Sequence, residues 1–203
     1  MNKNFIADYL DVSSRVLNNL DHVALNNIVR IIVSLREREG RLFILGVGGS
    51  AANAAHAVND FRKLAHIEAY SPTDNVSELT ARVNDEGWET SFSNWLAGSR
   101  LNANDGVMVF SVGGGDAEKR VSVNLIRALE YAKLKNASII GIVGRDGGYT
   151  KKVGDNVILI PTIDKKLLSS FKSLSYQEIA FHIMKPYLDD SISFTFCIPL
   201  PSF

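Results

Sequence analysis

The chain of 203 residues predicts one α/β domain, a three-layer αβα sandwich around a central parallel sheet, with a helical hairpin in front of it. Three features carry that prediction. Apolar, β-branched runs recur without the alternation of a half-exposed strand, which marks parallel strands buried on both faces. Helical stretches separate the runs, as βαβ crossovers require. Three of the four runs end in glycine-rich turns, and the ligand site of an open parallel sheet lies at the carboxyl ends of its strands.

The hairpin occupies residues 1–40. Residues 4–39 read as two helices, the first with Ile6, Leu10, Val16 and Leu20 at its apolar positions, the second with Val23, Leu25, Ile28, Ile31, Ile32 and Leu35. Gly40 is placed as the C′ residue ending the second. The α/β core, residues 41–188, opens with LFILGV (42–47), which ends in Gly-Gly-Ser and leads to a helix from Asn53 to Lys63. Ser71-Pro72-Thr73-Asp74 reads as a turn that starts a short helix, and Trp88, Phe92, Trp95 and Leu96 share one apolar helical face. VMVFSV (107–112) ends in Gly-Gly-Gly-Asp, with Asp116 as N-cap of a helix to about Lys135. SIIGIVG (138–144) ends in Arg-Asp-Gly-Gly, and NVILIPT (156–162) is the fourth strand. A last helix runs from Leu167 to Lys185, before Pro186. The apolar, aromatic tail, residues 189–203, predicts burial on the body or on another subunit.

Composition removes several function classes. Lys+Arg 22 balances Asp+Glu 22, so no overall field recruits nucleic acid or an anionic membrane. A lone cysteine, Cys197, excludes an intramolecular disulfide and a cysteine zinc cluster. No opening stretch reads as a signal peptide and no apolar run is long enough for a bilayer. The expectation is a reduced, cytoplasmic protein.

The turns GVGGSA (46–51), SVGGGD (111–116) and GRDGG (144–148) converge in such a sheet. One glycine turn alone is only a tight connection. Two that combine glycines, a serine and a following helix make Ser50 and Ser111 candidate phosphate donors, with the amides around Gly48, Gly49, Gly113 and Gly114 as a cradle. No Gly-Lys-Ser/Thr follows either turn and no dinucleotide fingerprint fits, so no nucleotide cofactor is expected. Downstream, His56 and Asp60 stand i,i+4 on one helix face, able to share a metal or work as an acid–base pair; a plain surface pair is the alternative. Gln177, His182 and Lys185 are polar positions on the otherwise apolar last helix, with Gln177 and Lys185 sharing a face and His182 lying round from both.

The segments GVGGSAANAAHAVNDF, NVSELTARVNDEGW and IVGRDGG, in that order, resemble the sugar isomerase (SIS) domain family and, within it, the phosphoheptose isomerases. The resemblance runs from the hairpin to Lys185. It implies the SIS fold and an aldose–ketose isomerisation of sedoheptulose 7-phosphate to a heptose 7-phosphate through an enediol, in heptose synthesis for surface polysaccharides such as lipopolysaccharide. It implies Asp60 as the base, where the family has glutamate, and Lys185 at the position of the family's acid histidine, with His182 as the other candidate acid. His56, Asp60 and Gln177 fall on ligand positions of zinc-bound members, so Zn2+ is the implied cofactor. Ser50 matches the first phosphate-loop serine, and Asn84 and Asp85 the asparagine–aspartate pair near substrate. Asn53, Gly48, Gly49, Ser111, Gly113, Gly114 and Gly115 complete the implied substrate-contacting set. The implied assembly is a homotetramer with sites built from more than one subunit.

The chain departs from the family pattern in three places, the first being Lys185 where the family has its acid histidine. Where members carry Ser-Thr-Ser-Gly-Asn-Ser, it has Ser111-Val112-Gly113-Gly114-Gly115-Asp116, which lacks most of the hydroxyl donors. Asp60 is one methylene shorter than glutamate, a displacement of roughly 1 Å at the reacting oxygen, which can cost about 10²-fold in rate. These departures keep a second reading open, a non-catalytic sugar-phosphate-binding regulator or adaptor. The geometric expectation for the isomerase is that the 48–50 turn and the 113–115 amides meet over one cavity with Asp60 pointing into it.

Overall fold

A computed structural model describes residues 5–163 and 170–188. Its sheet has five parallel strands in the order β2-β1-β3-β4-β5: β1 (Leu42–Leu45), β2 (Ala69–Tyr70), β3 (Gly106–Ser111), β4 (Ser138–Val143) and β5 (Asn156–Leu159). All six residues of β3 are buried. Because successive side chains point to opposite faces, one apolar run feeds two cores. Ile44, Met108, Phe110, Ile140 and Ile142 pack against α1 (Phe5–Asn18), α2 (His22–Glu37), α3 (Gly49–Leu64) and α8 (Ser170–Leu188). Phe43, Leu45, Val107, Val109 and Ile139 pack against α5 (Ser91–Gly98) and α6 (Val123–Leu134). Each such side chain contributes about 1.5–3 kcal/mol by leaving water. The three-layer sandwich is therefore present, and α4 (Val76–Glu86) and α7 (Gly148–Val153) complete the described helices.

The connections place the site. From β1 the chain moves outward to β2; from β3 it moves the opposite way to β4 and β5. The carboxyl ends of β1 and β3, with Leu45 beside Val109, therefore flank the point where the winding reverses.

Four local expectations are corrected. β2, two residues long, was not expected, because two residues show no periodicity. At the end of α2 the left-handed residue is Glu39 (φ 55°), while Gly40 donates its N–H to the Leu35 carbonyl at 2.8 Å. Gly40 is needed for closeness: a Cβ there would stand 1.9 Å from the Asn104 carbonyl oxygen. Asp116 does not cap a helix. Its carboxylate accepts the Lys119 N–H at 2.9 Å inside a tight turn that pairs Asp116 with Val121, and α6 begins only at Val123. A short acidic side chain bonding its own next turn competes with helix initiation in this way. Finally, α8 continues through Pro186 to Leu188. Leu188 is buried and its carbonyl accepts from Arg36 at 3.0 Å, so docking holds the last turn despite the proline. The predicted start at Leu167, the tail 189–203 and Cys197 lie outside the described residues. Among those residues, no helix is long and apolar enough to cross a membrane.

Candidate active site

The loops after β1, β3 and β4 meet over a groove of about 1150 Å³, whose wall includes Val47, Ser50, Ser111, Gly113, Gly115 and Arg145. Convergence of the two expected turns is thus observed, but the glycines work differently from a cradle of free amides. Gly114 (φ 72°) donates its N–H to the Ser111 hydroxyl oxygen at 2.9 Å. Its carbonyl accepts the Thr150 N–H at 2.9 Å and the Thr150 hydroxyl at 2.8 Å. Gly115 (φ 89°) accepts the Tyr149 N–H at 2.9 Å. A Cβ on Gly114 would stand 1.9 Å from the Gly147 carbonyl oxygen. The triglycine is a joint that fastens the β3 loop to the start of α7, and the Gly114 amide is not available to a ligand.

At the other turn, Gly48 (φ 61°) and Gly49 start α3 and lie outside the groove wall. Ser50 is in the wall, yet its hydroxyl donates to the Gln177 side-chain oxygen at 3.2 Å, and the Asn53 amide reaches the same oxygen at 3.5 Å. Ser50 and Gln177 therefore tie the N-terminus of α3 to α8, and the expected Ser50 hydroxyl is engaged inside the protein.

Further along α3, the charged groups gather where α8 packs beside it. His56 Nε2 lies 3.0 Å from Asp60 Oδ2, and His56 Nδ1 lies 2.9 Å from Glu178 Oε1. The Lys185 ammonium pairs with the same Asp60 oxygen. The His182 ring stands 5.3 Å from the His56 ring, centroid to centroid. His182 thus joins the set. Residues three and four apart are neighbours on a helix, so Glu178, His182 and Lys185 form one row facing α3, contrary to the expectation that His182 lies round from Lys185. The buried Phe181 ring floors the cluster, 5.4 Å from Phe61 and 5.6 Å from the Lys185 ammonium. Burial pushes the Asp60 carboxyl up, but the Lys185 hydrogen bond and charge, with His56 and Asn59, outweigh it and hold the group below the usual carboxylate range.

Asp60 does not point into the groove. It lines a small separate pocket with Phe61, Leu64, Ala65, Phe181, Lys185 and Leu188. It stands ten residues after Ser50 on a continuous helix, which is roughly 15 Å at 1.5 Å per residue. Asn84 and Asp85 bond each other at 2.7 Å on the exposed surface of α4 and belong neither to the groove wall nor to the charged cluster. Glu178 was missed from the sequence, because its partner His56 is remote along the chain; only its i,i+4 spacing to His182 was visible.

The zinc set can be tested on these donors. His56, Asp60 and His182 each offer a ligand atom, all within 4.8 Å of one another, a nitrogen–nitrogen–oxygen set that suits zinc. The Gln177 side-chain oxygen accepts from the Ser50 hydroxyl at 3.2 Å and from the Asn53 amide at 3.5 Å. The Lys185 ammonium already occupies the Asp60 oxygen, so a metal there has to displace it.

Comparison with known proteins places the fold. The SIS domain model matches residues 4–144. The chain belongs to the SIS domain family. A shorter match to the model for the N terminus of threonine synthase, over residues 157–195, covers too little of the chain to assign anything. A probable phosphoheptose isomerase of Thermoplasma volcanium is 30% identical over 76% of this chain and 78% of its own length. A phosphoheptose isomerase of Citrifermentans bemidjiense is 32% identical over 70% and 72%. Among solved structures, the phosphoheptose isomerase of Francisella tularensis superimposes with a TM-score of 0.77 at 19% identity, over 91% of this chain and 94% of that one. This SIS protein therefore shares the fold of those enzymes, a five-stranded parallel sheet flanked by helices.

Proposed function

We propose that this protein is a sugar-phosphate isomerase that converts sedoheptulose 7-phosphate into an aldoheptose 7-phosphate for heptose-containing surface polysaccharide. One observation carries the reading: a carboxylate, Asp60, paired with Lys185 and His56, with the His182 imidazole beside His56, on the helix that leads out of a groove at the switch point. In the reaction the carboxylate removes a proton from the carbon beside the carbonyl, and Lys185 or His182 delivers a proton to the carbonyl oxygen, giving the enediol. Return of a proton to the neighbouring carbon, with loss of one from the other oxygen, gives the aldose. The ion pair keeps Asp60 ionised; for Asp60 to act as base, substrate must part it from Lys185. A zinc ion held by His56, Asp60 and His182 would supply Lewis-acid polarisation of the substrate oxygens. Assembly as a tetramer is part of this reading, and Asn84 and Asp85 would then meet substrate across a subunit boundary.

The test is purified protein incubated with sedoheptulose 7-phosphate, with and without zinc, followed by chromatography of the aldose. Product in either condition supports the reading. Folded protein that binds the ketose phosphate without product favours the second reading, a sugar-phosphate-binding regulator. That alternative draws on the closed Lys185–Asp60 pair and its position outside the groove.

A further inference from the structure

We propose that Arg145 is the anion-binding side chain of the groove, gripping the substrate's phosphate together with the Ser111 hydroxyl across Gly113. This rests on the sugar-phosphate reading and names the group that recognises the phosphate. Arg145 holds a φ of 55°, a left-handed backbone uncommon for non-glycine residues that six others of the described chain share. Its side chain lies over Gly113: Nη1 and Cδ are 3.4 and 3.6 Å from the place a Cβ on Gly113 would take. Unlike Gly114 and Gly115, Gly113 has no positive φ, so its missing side chain provides space for the guanidinium and not a special conformation.

Arg145 is exposed in the groove wall, with no hydrogen bond or ion pair among the described residues. The charges around it are partly neutralised. Lys119 pairs with Asp116 at 2.8 Å, whereas Asp146, next in the chain to Arg145, adds an acid whose oxygen accepts the Gly148 N–H at 3.2 Å. Lys152 adds a second cation to the wall and Glu118 a further acid. Ser111 accepts the Gly114 N–H, which leaves its own proton to donate. A planar guanidinium with an adjacent hydroxyl matches a phosphate dianion, which takes two parallel N–H bonds from arginine.

Calorimetric titration at low salt tests this with inorganic phosphate, sedoheptulose 7-phosphate and unphosphorylated sedoheptulose. The wild type is expected to bind the two phosphates more tightly than the free sugar. Arg145→Gln should weaken both phosphates by about 10-fold or more, with the thermal melt checking the fold, while Arg145→Lys recovers part of the loss. Gly113→Ala keeps the charge but crowds the guanidinium, and should weaken phosphate by about 3-fold; it decides the matter if Arg145→Gln does not fold. In turnover the Arg145→Gln loss should fall mainly on KM. Wild type that binds sedoheptulose 7-phosphate while both variants bind it equally well overturns the role of Arg145 and leaves the isomerase reading standing. Wild type that binds neither phosphate overturns both.

Discussion

The groove and the α3–α8 cluster are built by opposite means. The groove stands on backbone: loop carbonyls and amides bond one another, Gly114 and Gly115 take left-handed conformations, and Thr150 locks the joint. The cluster stands on side chains: α8, packed beside α3, brings an ammonium onto a carboxylate that already pairs with an imidazole of its own helix. Loops at strand ends can be shaped around a ligand without disturbing the sheet, whereas buried charges persist only if their partners arrive together. The difference teaches that the groove and the charged cluster are separable parts of the domain, with Asp60 some 15 Å along α3 from Ser50 in the groove wall.

The sharpest way to break that separation is Asp60→Asn. It should lower turnover of sedoheptulose 7-phosphate by about 10³-fold or more, close to 4 kcal/mol in the barrier, while phosphate binding in the groove stays within about 2-fold. A parallel loss of phosphate binding would show that the two regions are one. Gly114→Ala attacks the other side. Its Cβ would collide with the Gly147 carbonyl at a φ of 72°, so a loss of about 3 kcal/mol or more in urea denaturation is expected, with phosphate binding lost before zinc binding.

A smaller effect concerns the metal. Lys185→Met removes the ammonium that competes for Asp60, and should tighten zinc by about 10-fold, about 1.4 kcal/mol, in competition with a chelating dye. Equal zinc affinity in variant and wild type would mean that Lys185 does not contest the site. The smallest effect is in acid. With metal chelated, the Asp60 carboxyl sits below its unfolded value, so the ion pair stabilises the fold above about pH 4 and the contribution fades as pH falls through the lowered value. The difference in melting temperature between wild type and Asp60→Asn should therefore be present near neutrality and close below about pH 4.

Much of this was legible in the residues. The runs at 42–47, 107–112, 138–144 and 156–162 each hold a strand, and the glycine turns after the first three do converge. Asp116 misled, because a helix cap and a side chain bonding its own next turn share the same residue type. The Ser50 hydroxyl donates to Gln177, a partner too far along the chain for local spacing to reveal. Glu178 was missed for the same reason, having His56 as its remote partner.

By itself the sequence determined the layers, the parallel sheet and the location of the groove, since hydrophobic period and glycine placement act over a few residues and need no distant partner. Only the tertiary structure decided which hydroxyls and amides remain free, that Glu178 and His182 meet His56, and that Lys185 closes on Asp60. Those outcomes depend on how α8 docks against α3, and helix packing is set by the whole contact surface instead of by local spacing.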